Sequence, residues 1–326
     1  MAKVIKVGLT MGDPSGIGPA IIVKALNLLQ PLKQKADLCV IGDAWVLSQA
    51  ERALGSKIPR EHNLRILDLK NVERRGFGFG KLRACFGKAS VEYLDKAMDL
   101  LITREIDCLV TCPISKQAVR MSGFGFPGHT EYLADCFATQ DFAMMLLNNK
   151  IRFSLLTAHI PLKDVSSILK KKEIYRNIAL TSRSLKKIFL IRNPSIVVCG
   201  LNPHASDNGL MGQEEQSVIR PAVTQAREKL KVAVDGPISS DIAIAKAAKG
   251  EYDAVIAVYH DQALIPLKLT GGSSGVNITL GLPFVRTSPL HGTAFDIASK
   301  PKLADPRSLI EAVKLAVKCT LNLRKD

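Results

Sequence analysis

Most of the six histidines lie beside glycines, prolines or acids at the ends of apolar runs, where an imidazole can act on a ligand. His159 ends the run that starts at Phe153 and is followed by Pro161. His204 follows Ser195 to Cys199 within Gly200-Leu201-Asn202-Pro203-His204, and His260 follows Val255 to Tyr259 and precedes Asp261. Ligands of open α/β sheets gather at the carboxyl ends of the strands. Three neutral imidazoles meeting there suit a borderline divalent ion, with a fourth position left for substrate. Each imidazole taken alone reads equally well as a strand cap bonded to backbone. Asp241 and Asp261 are the acids placed to orient a ligating imidazole, or to cap a helix. His62, in Arg60-Glu61-His62-Asn63, reads as a surface residue.

A second set of residues suits an anion. Lys268, Asn277 and Arg286 flank Gly271-Gly272-Ser273-Ser274-Gly275, and a lysine, an amide and an arginine gathered by such a loop would bind a phosphate through charge-assisted hydrogen bonds. In Gly128-His129-Thr130-Glu131 the imidazole and hydroxyl suit a polar substrate, while Thr130 reads equally as a helix cap. Lys116 follows Pro113-Ile114-Ser115 just beyond an apolar run; it is either a proton carrier at the same rim or a solvated lysine in a first helical turn. Gly12-Asp13-Pro14-Ser15-Gly16-Ile17-Gly18-Pro19 is either an anion-binding turn at a helix start or a tight turn capped by Asp13 or Ser15. Its glycine order matches neither a dinucleotide fingerprint nor a phosphate-binding loop. Gly76-Phe77-Gly78-Phe79-Gly80 is expected to be a mobile loop.

These residues need strands and helices to present them. Short β-branched runs at 4–9, 38–41, 107–111, 153–156, 195–199 and 254–258 alternate with amphipathic stretches such as 88–104, where Val91, Leu94, Ala97, Met98, Leu101 and Ile102 share a stripe. Such alternation predicts an α/β protein with a mostly parallel sheet. The chain has 326 residues, 47% of them hydrophobic and 23% charged, enough apolar surface to argue against disorder. Its net charge of +15 would attract nucleic acid, anionic lipid or a phosphorylated metabolite. Aromatic residues make up 5% and do not interleave with the basic ones, so no base-stacking platform is expected, and Lys170-Lys171-Lys172 reads as a solvated helix entrance. The apolar runs are too short for a membrane span or a secretory segment. Seven scattered cysteines suit core positions in a reducing compartment, so a cytoplasmic protein is expected.

The strings Gly12 to Pro19, Pro113 to Lys116, Gly128 to Glu131, Asn202-Pro203-His204-Ala205, Tyr259-His260-Asp261-Gln262 and Asn277 to Ser288 resemble the 4-hydroxythreonine-4-phosphate dehydrogenase family of pyridoxal 5′-phosphate biosynthesis, over nearly the whole chain. The resemblance implies a two-lobed α/β fold like that of isocitrate and isopropylmalate dehydrogenases, not a Rossmann fold. Residues 1–120 with 270–326 would form a cofactor-side lobe and 121–269 a metal- and substrate-side lobe, with the active site in the cleft between them. It implies NAD- or NADP-dependent oxidation of 4-phosphooxy-L-threonine and decarboxylation to 3-amino-2-oxopropyl phosphate. One divalent metal per site is implied, zinc before magnesium, cobalt or manganese, held by His159, His204 and His260. His129, Thr130, Lys268, Asn277 and Arg286 would contact the small phosphorylated substrate, and Lys116, Asp241 and Asp261 are the candidate catalytic groups. His291, Gly292, Thr293 and Asp296 match the segment that seats the cofactor's adenosine end, next to departures at Leu290, Ser299 and Pro301. The family's site is shared between the subunits of a homodimer, with no nucleic acid or membrane partner. Two rival readings are a phosphate acyltransferase of the same superfamily, which needs no three-histidine metal, and a nucleic-acid-binding protein, which would show steep salt dependence.

Overall fold

The computed structural model describes residues 4–29, 35–59 and 63–325; His62 lies outside them. Its strands are β1 (Ile5–Thr10), β2 (Ala36–Gly42), β3 (Leu64–Asp68), β4 (Cys108–Thr111), β5 (Ala143–Leu147), β6 (Arg152–Leu155), β7 (Ser195–Cys199), β8 (Ala233–Ile238), β9 (Ala254–Ala257), β10 (Val276–Leu280) and β11 (Val285–Pro289). The helices are α1 (Gly18–Leu28), α2 (Ala44–Leu54), α3 (Ala84–Ile102), α4 (Lys116–Met121), α5 (His129–Cys136), α6 (Val165–Ile168), α7 (Lys171–Lys187), α8 (Arg220–Leu230), α9 (Ser240–Ala248), α10 (His260–Gly271), α11 (Phe295–Ala298) and α12 (Arg307–Leu323). The chain divides into two compact units, Met1–Ala138 with Pro283–Arg324, and Thr139–Leu282 with Lys325–Asp326. The expected divisions were 120/121 and 269/270. The later positions have local causes: α5 is tied to α3 through the Tyr132 hydroxyl and Asp95, and β10 pairs along its length with β5.

In the first unit the strand order is β3-β2-β1-β4-β11, and every pair is parallel. Strands covered on both faces must be apolar almost throughout. Ile5, Val7 and Leu9 of β1 and all four residues of β4 are buried accordingly. The amphipathic stretch expected at 88–104 appears as α3, but only Val91, Leu94 and Ala97 of the expected stripe are buried, with Phe86, Tyr93 and Leu100 beside them. Met98 and Leu101 are half-buried and Ile102 is exposed, because the helix turns its buried face away from them at its end. Helix α2 starts where Asp43 accepts a bond from Val46 N–H, and it ends at Gly55 in the left-handed region (φ +66°), the usual start and stop chemistry.

The second unit has the order β10-β5-β6-β9-β7-β8. Strands β6, β9, β7 and β8 are parallel, whereas β10 with β5 and β5 with β6 run antiparallel. Helix α7 packs Ile174, Ile178, Leu180 and Leu185 inward, and Asn177 bridges it to β6 by accepting from Ser154 Oγ and donating to Leu155 O, both 2.9 Å. Lys170, Lys171 and Lys172 are exposed where α7 begins. Among the described residues no helix is long and apolar enough to cross a membrane.

Candidate active site

Parallel pairing sends the carboxyl ends of β1, β4 and β11 to one edge of the first unit. There β4 ends at Thr111, and Ser115 caps α4 by accepting from Ala118 N–H at 3.2 Å, so Lys116 stands exposed in the first turn. Arg286, second in β11, is only 2% exposed. Its Nη2 donates to Thr111 Oγ1 at 2.6 Å and its Nη1 to Thr130 Oγ1 at 3.3 Å. Burial pushes the guanidinium down to about 10 against the attraction of Glu131, so it still carries its charge at neutral pH. His129 opens α5 with Nε2 shut off from solvent and without a hydrogen-bond partner among the described residues. Burial, then Arg286 and Lys116, hold its imidazole well below the usual histidine range, hence neutral. Thr130 does not cap α5; its hydroxyl faces Arg286. A buried cation, an uncharged imidazole and two hydroxyls are the kinds of group that could receive an oxyanion.

The expected cofactor segment lies at the end of β11. His291 Nδ1 sits 3.1 Å from Gly292 O, and burial lowers the pKa of its ring. Gly292 and Asp296 are exposed, the latter in the first turn of α11, and a Cβ added at Gly292 would meet open space. Thr293 O accepts from Ile17 N–H at 2.9 Å. The turn at 12–18 is not an anion cradle: Asp13 N–H donates to Pro113 O, Ser15 N–H to Asp13 Oδ1, Gly16 N–H to Asp13 O and Ile17 N–H to Thr293 O. Nor is 76–80 a loose loop. Ser15 binds it, and Phe77 packs against Trp45, Phe79 and Phe86 with ring centroids 5.0, 5.2 and 5.6 Å away.

In the second unit four parallel strands deliver the other candidates to one edge. His159 follows β6, His260 follows β9, His204 follows β7 and Asp241 follows β8; the strand order puts His260 between His159 and His204, with Asp241 beyond. His159 and His260 have ring centroids 6.1 Å apart. His260 Nδ1 is 2.7 Å from Asp261 Oδ1, and Asp241, held low by the Ser239 hydroxyl and the Ile242 N–H, feels the His204 imidazole as well. His204 begins a run of five residues, through Asn208, all with positive φ, a costly backbone for side chains with a Cβ. Among the described residues no group of three or more His, Cys, Asp or Glu is arranged to hold a metal ion. The donor set itself, three imidazoles and two carboxylates on one sheet edge, fits a borderline divalent ion. Lys268 is exposed on α10, and Asn277 is half-buried in β10 with Oδ1 unpartnered among the described residues.

Several supporting residues escaped the sequence reading. Gln262 ties the edge together: Nε2 donates to Gly200 O (2.8 Å) and Ser240 Oγ (2.7 Å), and Oε1 accepts from Val258 N–H (2.7 Å). Buried Glu215 holds the His204 loop through Asn202 N–H (2.7 Å) and Asn202 Nδ2 (3.0 Å). Gln262 follows His260-Asp261 directly, which was a signal; Glu215 has none in sequence.

The mixed α/β architecture, with parallel strands that carry candidate ligand residues at their carboxyl ends, has the isocitrate dehydrogenase-like fold. Isocitrate dehydrogenase from Methylococcus capsulatus shares the fold at 14% identity, with TM-score 0.52 over 98% of this chain and 87% of that one. Residues 31–316 match the family model described as pyridoxal phosphate biosynthetic protein PdxA, and the chain belongs to that family, as an oxidoreductase. It is 43% identical over 320 residues to 4-hydroxythreonine-4-phosphate dehydrogenase of Sulfurihydrogenibium sp. (strain YO3AOP1), covering 96% of this chain and 98% of the relative. A D-threonate 4-phosphate dehydrogenase of Cupriavidus necator is 40% identical over 321 residues, 94% of this chain and 95% of the relative. The crystal structure of 4-hydroxythreonine-4-phosphate dehydrogenase from Klebsiella pneumoniae superposes with TM-score 0.86 at 36% identity, over 98% of this chain and 99% of that one.

Proposed function

We propose that the protein oxidises the secondary hydroxyl of 4-phosphooxy-L-threonine with NAD or NADP, and that the β-keto acid so formed loses carbon dioxide to give 3-amino-2-oxopropyl phosphate. The observation that carries this reading is the buried Arg286 guanidinium bonded to Thr111 and Thr130 beside neutral His129, a group built for a small oxyanion such as a phosphate monoester. Lys268 and Asn277 are further substrate contacts in this reading.

His159, His204 and His260 would hold the divalent metal, zinc first, which when bound supplies Lewis acidity to the substrate oxygens. Asp261 orients His260 through Nδ1, and Asp241 is engaged by Ser239. Lys116, exposed at the rim beside His129, and the carboxylates Asp241 and Asp261 are the candidate proton carriers in this reading. His291, Gly292, Thr293 and Asp296 would seat the nicotinamide cofactor. A homodimer with a shared site fits the exposed Ile265 (58%) and Leu269 (81%), one turn apart on α10. Cytoplasmic location is part of the same reading.

The relatives that act on D-threonate 4-phosphate support a second substrate, which keeps the phosphate and the oxidisable hydroxyl and replaces the amine by a hydroxyl. The test is to strip the protein of metal, restore Zn²⁺, Mg²⁺, Co²⁺ or Mn²⁺ singly, and follow reduced nicotinamide with each substrate and each cofactor. Turnover of 4-phosphooxy-L-threonine at least tenfold above D-threonate 4-phosphate is expected; the reverse ratio selects the second reading, and no reduction of either cofactor overturns both.

A further inference from the structure

Ser15 has no solvent exposure, and each of its polar groups is engaged. Its N–H donates to Asp13 Oδ1 at 2.9 Å. Its hydroxyl donates to Gly78 O at 2.8 Å and accepts from Lys81 N–H at 2.7 Å, while its carbonyl accepts from Gly80 N–H at 2.7 Å. One residue thereby fixes three backbone groups of a segment more than sixty residues away, two through its hydroxyl and one through its carbonyl. Two residues on, Ile17 N–H donates to Thr293 O at 2.9 Å. The two clasped segments also meet each other: Gly80 lies at φ +82°, and a Cβ there would come within 2.7 Å of Phe295 O, so only glycine permits this approach. On its far side the 76–81 segment is anchored by Phe77 against Trp45 and Phe86. None of the substrate or metal groups described above touches this clasp.

We propose that Ser15, held by Asp13, is a positioning residue for the nicotinamide cofactor, fixing residues 76–81 and 291–296 as one preformed wall of its binding site. The inference rests on the reading that residues 291–296 seat the cofactor. A wall fixed before the ligand arrives removes ordering cost from binding and leaves the chemical step alone. Loss of the Ser15 hydroxyl therefore acts on cofactor affinity and not on turnover at saturation.

The experiment is a fluorescence titration of the purified protein with NADH and NADPH, with steady-state kinetics on 4-phosphooxy-L-threonine, for the unaltered protein and for Ser15→Ala, Ser15→Thr and Ser90→Ala. Ser15→Ala is expected to weaken cofactor binding and raise cofactor KM about tenfold, the scale of one net hydrogen bond, with kcat and substrate KM within twofold. Ser15→Thr, which keeps the hydroxyl, restores affinity. Ser90→Ala removes an equally buried serine whose hydroxyl bonds Gly87 O inside α3, and it leaves affinity unchanged. Hydrogen exchange on the unaltered protein reads the same point without a variant: the Gly80 and Lys81 amides are slow before cofactor is added. Equal cofactor affinity in Ser15→Ala, or amides that slow only once NADH is present, overturns the positioning role while leaving the dehydrogenase reading intact. Failure of the unaltered protein to bind either nicotinamide overturns both.

Discussion

Arg286 Nη2 donates to Thr111 Oγ1 across 2.6 Å, a bond between the second residue of β11 and the last residue of β4. The two strands pair in parallel with Arg286 opposite Leu109, so the guanidinium reaches forward along its neighbour toward the edge where Lys116 and His129 emerge. A buried cation needs donors satisfied on one side and room for an anion on the other. Thr111 and Thr130 supply the first requirement.

Thr111→Val keeps the shape and removes the acceptor. With a charged donor left short of a partner, stability should fall by about 2 kcal/mol, measured as a shift in urea midpoint at constant slope. The KM for the phosphorylated substrate should rise at least tenfold with cofactor KM unchanged. An unchanged KM would show that the guanidinium serves packing alone.

Asp13 sets one pH dependence. Desolvation outweighs the Ser15 and Gly16 N–H groups and raises its carboxyl from 3.8 to about 6. A raised acid binds its proton more tightly in the folded state, so its contribution to stability is complete below about pH 4 and lost as pH climbs through 6. The loss is on the order of 3 kcal/mol. Asp13→Asn keeps an acceptor for Ser15 and should abolish this slope, read from denaturation curves between pH 4 and 7.

His129 acts with the opposite sign. Its folded imidazole stays neutral well below 6.5, whereas the unfolded one protonates there, so stability present above 6.5 declines as the solution is acidified. His129→Gln should flatten the acid side of the profile. Because the ring is already uncharged, kcat/KM should show no titration from His129 between pH 6 and 8.

Metal removal separates the dehydrogenase reading from an acyltransferase of similar fold. Chelation should abolish cofactor reduction, with restoration by a divalent ion. His204→Ala should hold less than a tenth of an ion per chain and lose turnover while its melting curve stays cooperative. Asp261→Asn, which loosens the His260 ring, should weaken metal affinity 10- to 100-fold. Full turnover of metal-free His204→Ala would end the assignment of that ligand.

The sequence made several short apolar strands visible, since β1, β4, β7 and β9 are largely buried and each carries Val, Ile or Leu at most of its inward positions. It hid β5, whose Ala-Met-Met-Leu-Leu has no β-branched residue, and β8, which contains Gly236-Pro237. Strands β3, β10 and β11 were missed as well, because polar residues such as Arg65, Asn277 and Arg286 interrupt their short apolar patterns. Strand ends could be read, and with them His159, His204 and His260, because each is a local feature. The partners of Ser15 and Arg286 could not, because Gly78 is 63 residues and Thr111 is 175 residues away, and no periodicity encodes such a distance. The same blindness made a tied loop look slack at 76–80.

The pairing of β11 with β4 bears on how a nascent chain matures. Everything needed for the sheet of residues 139–282 leaves the ribosome in one stretch, but the first sheet waits for β11 and for α12, which covers β1, β4 and β11. Until then Cys108-Leu109-Val110-Thr111, every residue of which is buried in the finished fold, is an uncovered and largely apolar border. A translational pause before residue 285 would leave that border sticky for its whole duration, making this the stage at which synthesis most needs a chaperone.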